Sequence, residues 1–78
     1  MIFLIEYDRR QGKLVTFRRF RDSHRAAAAK ARLNLELSRR SDGTPTEIVV
    51  LEAETEDAVR RTHRRYFQTL RELVEAVG

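Results

Sequence analysis

Few residues of this 78-residue chain have the types and spacing that catalysis or metal binding requires. His24 and His63 lie far apart, and neither has a cysteine or a second histidine at helical spacing, so no metal centre is indicated. Ser23 precedes His24, but neighbouring helical positions point about 100° apart, so the two do not form a nucleophile and its base. The three glycines are too widely spaced for a phosphate-binding loop. We therefore predict that the protein is not an enzyme and has no catalytic residue, cofactor, metal or small-molecule substrate.

Four carboxylates lie on or beside the predicted strands, at Glu6, Asp8, Glu52 and Glu54. A pair of carboxylates can serve general acid and base chemistry when the fold brings the two together. Charged residues at strand ends are also common in small sheets, where they protect the edges from unwanted pairing. We interpret these four residues as solvated strand ends.

The basic residues are the strongest functional signal, because fourteen of the sixteen are arginine, which binds phosphate bidentately. Two groups are candidates for binding a polyanion, at a predicted hairpin tip and on the second helix: Arg9, Arg10 and Lys13, and Arg60, Arg61, Arg64 and Arg65. The aromatic residues are assigned to the core, so no base-stacking surface accompanies these groups. RNA or DNA binding is one hypothesis. The alternatives are a charged surface that pairs with itself and a composition that reflects a GC-rich genome.

The charge is unevenly distributed along the chain. Residues 1–45 carry eleven Lys and Arg against five Asp and Glu, whereas residues 46–78 carry five against seven. A basic half suits a polyanionic partner. A molecule with one basic and one acidic half can equally pair with a second copy of itself.

The first two strands are predicted to form a β-hairpin. Residues 2–7 and 14–17 are rich in β-branched and aromatic side chains, with a polar stretch between them. A three-residue loop that ends with Gly12 in the left-handed conformation would pair Arg9 with Lys13. The face expected to form the core then carries Phe3, Ile5, Tyr7, Val15 and Phe17, with Tyr7 opposite Val15 and Ile5 opposite Phe17.

A first helix is predicted from a cap at Asp22 or Ser23 to about Arg40, because this segment lacks Gly and Pro and contains four consecutive alanines. One apolar stripe of this helix consists of Ala26, Ala29, Leu33 and Leu37, and a different side carries Ala28, Ala31 and Leu35. The helix is therefore expected to serve the core on one side and to leave the other side for a partner.

After a loop at residues 41–46, the uncharged run 48–51 is typical of a strand covered on both faces. Thr55 is expected to cap a second helix, whose apolar stripe is Val59, His63, Tyr66, Leu70, Leu73, Val74 and Val77, with Phe67 at its edge. His63 is notable on this stripe because a polar ring there must be hydrogen-bonded or lie at an interface. We interpret it as a buried polar residue with a structural role, the alternative being a ligand pocket or a pH-sensitive interface.

The element order β-β-α-β-α predicts an α+β two-layer sandwich within one domain, residues 1–78. We expect a three-stranded sheet in the order 2-1-3, which makes each neighbouring pair antiparallel, in preference to 1-2-3. Both helices are expected to pack on one face of this sheet.

The second sheet face is expected to be partly apolar, which suggests an interface. Candidate self-association residues are Ile2, Leu4, Leu14, Phe20 and Leu35. A chain this short and without cysteine has neither disulfides nor thiolate-bound zinc to stabilise it, so oligomerisation is the obvious remaining source of stability. A homodimer that acts as an interaction module is therefore the leading hypothesis. Simple exposure of a few apolar residues, or a different partner, are the alternatives.

The sequence contains no run typical of a membrane span or a signal peptide. The apolar residues 1–5 are far fewer than the roughly 20 that span a bilayer. We therefore expect a cytoplasmic protein that makes no contact with a membrane.

Overall fold

The computed structural model describes residues 1–43 and 46–67. In chain order the elements are β1 (Ile2–Asp8), β2 (Lys13–Phe20), α1 (Arg25–Asp42), β3 (Glu47–Glu52) and α2 (Glu56–Thr62), with 3-10 turns at Asp22–His24 and Arg64–Tyr66. β1 is the central strand and is antiparallel to both β2 and β3. The predicted α+β fold and the strand order 2-1-3 are therefore confirmed.

Both faces of β1 are covered by the rest of the chain. Its residues from Ile2 to Tyr7 are all buried, and Phe3, Leu4, Ile5 and Glu6 have no exposed surface. Because successive side chains of a strand point to opposite faces of the sheet, this burial requires a layer on each side. The apolar character of both faces, visible in the sequence, is thus satisfied within one chain.

The two helices supply these layers from opposite faces, in contrast to the expected packing on one face. Ala28 of α1 is buried near Ile2 and Val50, which line a small cavity with it on one side of the sheet. On the other side, Val59 of α2 and Tyr66 join the core of Phe3, Ile5 and Tyr7. The physical reason is that a single helical layer would leave one apolar face of β1 in water.

The hairpin tip has a longer loop than predicted. Asp8 pairs with Lys13, so the loop contains four residues, 9–12, instead of three. The Asp8 side chain accepts hydrogen bonds from the backbone N–H groups of Arg10 and Gln11 at 2.9 and 3.1 Å, which closes the loop locally. Gly12 has the predicted left-handed conformation, with φ of 64°.

The longer loop is followed by an irregularity that exchanges two side chains between faces. The pairing shifts between Glu6 and Tyr7, so Tyr7 lies opposite Leu14, although the predicted pairing of Ile5 with Phe17 is confirmed. Leu14 therefore packs against the core, whereas Val15 is 44% exposed. The prediction that Val15 belongs to the core face was wrong, because a one-residue shift in register moves a side chain to the other face.

The side of α1 that faces the sheet is the one opposite the predicted apolar stripe. Ala28 is buried and Leu35 half-buried, whereas Leu33 and Leu37 are each 52% exposed. The small Ala28 side chain on the inner side lets the helix backbone approach the sheet closely. The N-terminal cap also differs from the prediction, because Asp22 pairs with the amino group of Met1 at 2.8 Å.

α2 begins as predicted and ends early. The Thr55 side chain accepts a hydrogen bond from the Ala58 N–H at 3.1 Å, which confirms the cap. The helix stops at Thr62, whose hydroxyl donates to the Ala58 carbonyl at 2.9 Å, and His63 leaves the helical conformation. This break turns Tyr66 onto the sheet. The predicted continuation through Leu70, Leu73, Val74 and Val77 lies outside the described residues.

Candidate functional site

Glu6 is the most completely enclosed charged residue of the described chain, with no exposed surface. Its carboxylate accepts hydrogen bonds from Nε and Nη2 of Arg39, the latter at 3.1 Å. The Thr16 and Thr46 hydroxyls donate to it at 2.8 and 3.0 Å. One carboxylate therefore links β1, β2, α1 and the segment that leads into β3.

The donors around Glu6 hold it in the ionised state. Hydrogen bonds from Arg39 are the largest cause of a lowered pKa, burial opposes them, and the Thr16 and Thr46 hydroxyls add to the lowering. Both oxygens are occupied by donors from the chain itself, so the carboxylate cannot approach a substrate. This arrangement stabilises the fold and does not supply a general acid or base.

The interpretation of Glu6 as a solvated strand end was therefore wrong. A signal was present in the sequence, because Glu6 shares its strand face with Ile2 and Leu4 in an otherwise apolar run. A carboxylate in that position must be paired. The identity of its partner, Arg39, depends on the orientation of α1 over the sheet and was not predictable from local sequence.

A second carboxylate, Glu47, joins the hairpin tip to the segment after α2. It accepts hydrogen bonds from Nε of Arg9 at 3.3 Å, from Nη2 of Arg65 at 2.9 and 3.0 Å, and from the Tyr66 hydroxyl at 2.9 Å. Burial acts to raise the pKa of Glu47, but Arg9, Tyr66 and Arg65 outweigh it and hold the pKa below its ordinary value. The structure thus brings one member of each predicted basic group to the same carboxylate.

Arg60 lies at the centre of a third cluster. Its guanidinium pairs with Glu56 at 3.1 Å and lies over the rings of Phe17 and Phe67, at 5.5 and 4.6 Å from their centroids. Glu56 also lies 3.6 Å from Arg19. Arg60 is therefore engaged in packing and pairing within the chain.

The other predicted polyanion-binding residues are Arg10, Lys13, Arg61 and Arg64, all of them exposed. Within residues 1–43 and 46–67 none of these four pairs with a carboxylate. Arg10 lines a shallow hollow with Arg9 and Glu47, close to Arg65. Three of the seven candidates, Arg9, Arg10 and Arg65, are thus gathered at one end of the sheet.

His63 is half-buried, and its ring stacks on the Tyr66 ring with the centroids 6.2 Å apart. In the part of the chain that the structure describes, no cluster of three or more His, Asp and Glu is placed to hold a metal ion. The contact with Tyr66 is consistent with a packing role for His63.

The five predicted self-association residues do not form one exposed surface. Ile2 and Leu4 are buried beneath α1, and Leu14 packs against the core on the other face. Phe20 and Leu35 are half-buried and line a shallow hollow between β2 and α1. The two most exposed large apolar residues of the described chain, Leu33 and Leu37, lie instead on the outer stripe of α1 with Ala26 and Ala29.

β3 provides a second exposed feature, because it is an edge strand of the described sheet. Its residues Ile48, Val49, Val50 and Leu51 are uncharged and half-buried. Ala29 of α1 and Val50 of β3 line the same cavity of about 160 Å³. Ala29 is therefore the member of the outer stripe that lies beside the edge of β3, whereas Leu33 and Leu37 project further from the sheet. We call the outer stripe of α1 and the adjoining edge of β3 together the α1/β3 flank.

Comparisons with known proteins leave the family open. No family model matches the chain, and no curated protein or solved structure is significantly similar to it. None of the helices found in the described ranges is both long and apolar enough to cross a membrane.

Proposed function

We propose that the protein is a small, non-enzymatic interaction module of the cytoplasm that forms a homodimer through the α1/β3 flank. The observation that carries this proposal is the exposure of Leu33 and Leu37, each 52%, on the outer side of a helix whose inner side is already packed on the sheet. The two leucines are four positions apart and lie on one helical face with Ala29. An apolar stripe of this kind is typical of a helix that packs against a second helix.

The symmetry of a dimer favours a second copy as the partner. Across a twofold axis each copy offers the same surface, so one apolar stripe is matched by another without requiring any second recognition surface. A stable interface buries about 1,200–2,000 Å² in total. The stripe runs from Ala26 to Leu37, over most of the length of α1, and the edge of β3 adds to the surface that a second copy could cover.

The proposal is tested by the double variant Leu33→Glu with Leu37→Glu, with molar mass measured by light scattering at micromolar concentrations. We expect a dimer for the wild type and a monomer for the variant, because four acidic side chains would meet across the twofold axis. Circular dichroism establishes that the variant is folded, as expected for substitutions at exposed positions.

A matched control carries the same change in charge on a different side of the same helix. Asn34→Glu with Ser38→Glu places two carboxylates at exposed polar positions, and this variant should remain dimeric. A monomeric wild type at these concentrations would overturn the proposal. Loss of the dimer in both variants would instead assign the effect to net charge.

Nucleic-acid binding is the second candidate function. The exposed residues Arg10, Lys13, Arg61 and Arg64 support it, since none has a carboxylate partner within the described chain. The engagement of Arg9, Arg60 and Arg65 by Glu47 and Glu56 counts against it.

The corresponding test is a titration of labelled single-stranded RNA and duplex DNA at several salt concentrations. If Arg61 and Arg64 contact phosphates, Arg61→Glu with Arg64→Glu reduces the salt slope of log K by about 2 for a duplex. Arg21→Glu with Arg40→Glu is the charge-matched control. Absence of binding to either probe at low salt excludes this candidate.

A further inference from the structure

The outer edge of β3 exposes backbone groups that no element of the described chain pairs. Antiparallel strands alternate between residue pairs that exchange hydrogen bonds and pairs that do not. The Ala53 N–H donates to the Met1 carbonyl at 3.1 Å, which fixes this alternation for β1 and β3. By that alternation the N–H and C=O groups of Ile48, Val50 and Glu52 point away from β1.

The two edges of the sheet differ in their protection against pairing. β2 has the irregularity near its start and carries exposed Lys13, Arg18 and Arg19, features that oppose the approach of another strand. The centre of β3, residues 48–51, has no charge, no proline and no irregularity in its pairing with β1. β3 is therefore the edge suited to accept a strand.

We propose that β3 pairs with β3 of a second copy, antiparallel and across a twofold axis at Val50, so that two three-stranded sheets become one. This inference rests on the proposed homodimer and assigns its geometry. With Val50 on the axis, Ile48 of each copy lies opposite Glu52 of the other, and the outward backbone groups of all three positions are paired. If the twofold axis lay at Val49 instead, Glu52 of each copy would lie opposite Thr46 of the other, outside the strand.

The charges at the two ends of β3 are compatible with this pairing. Arg9 and Arg65 neutralise Glu47, and Arg25 forms an ion pair with Glu52. The register at Val50 also avoids placing two glutamates directly opposite each other, which would be destabilising. The acidic ends of β3 therefore do not repel a second copy strongly.

The position of α1 makes the pairing of strands and the packing of helices one interface. Ala29 and Val50 line the same cavity beside the β3 edge, and Leu33 lies one helical turn beyond Ala29. When two copies join through β3, their α1 helices lie side by side on the same face of the joined sheet. Ala29 and, one turn along the helix, Leu33 of the two copies are then brought towards each other.

The backbone itself is tested by comparing Val50→Pro with Val50→Ala. Alanine shortens the side chain and keeps the outward N–H, whereas proline removes that N–H, and an edge strand accepts proline where the N–H faces solvent. We expect Val50→Ala to remain a dimer and Val50→Pro to be a folded monomer by light scattering and circular dichroism. A folded, dimeric Val50→Pro would overturn the proposed pairing and leave the homodimer itself intact.

A second test does not depend on the fold tolerating proline. The chain has no cysteine, so Val50→Cys introduces a single thiol at the proposed axis. Directly paired residues have Cα atoms about 5.5 Å apart, within the range of a disulfide. Val15→Cys, on the exposed part of β2, is the control.

Under mild oxidation at micromolar concentration we expect Val50→Cys to convert to a covalent dimer and Val15→Cys to remain almost entirely monomeric on a non-reducing gel. Equal cross-linking of the two variants, or none in Val50→Cys while light scattering shows a dimer, would overturn the register. A monomeric wild type would overturn the homodimer and this inference together.

Discussion

Arg39 of α1 donates two hydrogen bonds to the carboxylate of Glu6, whose side chain has no exposed surface at the centre of the sheet. The two residues are 33 positions apart in the chain, so this ion pair joins α1 to β1. It fixes α1 over the face of the sheet that carries Ile2 and Leu4. The outer stripe of α1 is exposed as a consequence, so the ion pair determines which surface is left for a partner.

The first prediction concerns this ion pair. Arg39→Met should lower the melting temperature, because the buried Glu6 carboxylate would keep only its two hydroxyl donors. A buried polar group without its partners costs about 1–3 kcal/mol in general. Adding Glu6→Gln to Arg39→Met should restore part of the loss, since the uncompensated charge is then removed. Thermal unfolding of both single variants and the double variant measures the coupling energy between Glu6 and Arg39. Strictly additive effects of the two substitutions would contradict a stabilising ion pair.

The second prediction is a pH dependence. The pKa of Glu6 is lowered, chiefly by its hydrogen bonds with Arg39. A carboxylate of this kind stabilises the folded state above its ordinary pKa, and the contribution is lost as the pH falls through the lowered value. The difference in unfolding free energy between wild type and Glu6→Gln should therefore be constant near neutral pH and shrink in acid. The lowered pKa of Glu47 contributes to both proteins and cancels in this difference.

The third prediction concerns the end of α1. Gly43 has φ of 69°, and among the described residues, its chain neighbours apart, no atom lies within 4 Å of the position that a Cβ would take. A substitution there should therefore cost only the backbone strain of the left-handed conformation. We expect Gly43→Ala to destabilise the protein by about 1 kcal/mol and Gly43→Asn by less, because asparagine tolerates this conformation better. Urea unfolding measures both, and equal losses would contradict the explanation by strain.

The fourth prediction concerns Tyr66. Its ring packs edge-on against the Tyr7 ring, with the centroids 5.4 Å apart, and its hydroxyl donates to Glu47. Tyr66→Phe removes only the hydroxyl and should cost about 0.5–1.5 kcal/mol. The loss should lie at the lower end of that range, since Glu47 retains Arg9 and Arg65. Tyr66→Ala, which also removes the ring, should cost several times as much in the same unfolding measurement.

The sequence predicted those features of the fold that depend on neighbouring residues. Runs of β-branched and aromatic residues located the strands, the polar stretch that ends at Gly12 located the hairpin, and Thr55 located the start of α2. The order 2-1-3 followed from these elements, because it makes each neighbouring pair antiparallel. These predictions succeeded because propensity, capping and turn conformation are decided within a few residues.

The sequence was less informative about the candidate site. It identified the basic groups but not that Arg9 and Arg65 share Glu47, since the three residues belong to separate segments. It also placed Val15 in the core, because one additional residue in the hairpin loop is enough to exchange Val15 for Leu14. Errors of this kind arise where one residue of register decides which face a side chain occupies.

By itself the sequence determined that this chain forms a small α+β fold with a β1 strand apolar on both faces and a helix apolar on two sides. Only the tertiary structure decided which element covers each face. α1 uses its alanines to lie close to one face and leaves Leu33 and Leu37 exposed, while α2 and Tyr66 cover the other. The reason is physical: several pairings would bury similar apolar area, and the buried Glu6 requires the one that brings Arg39 to it.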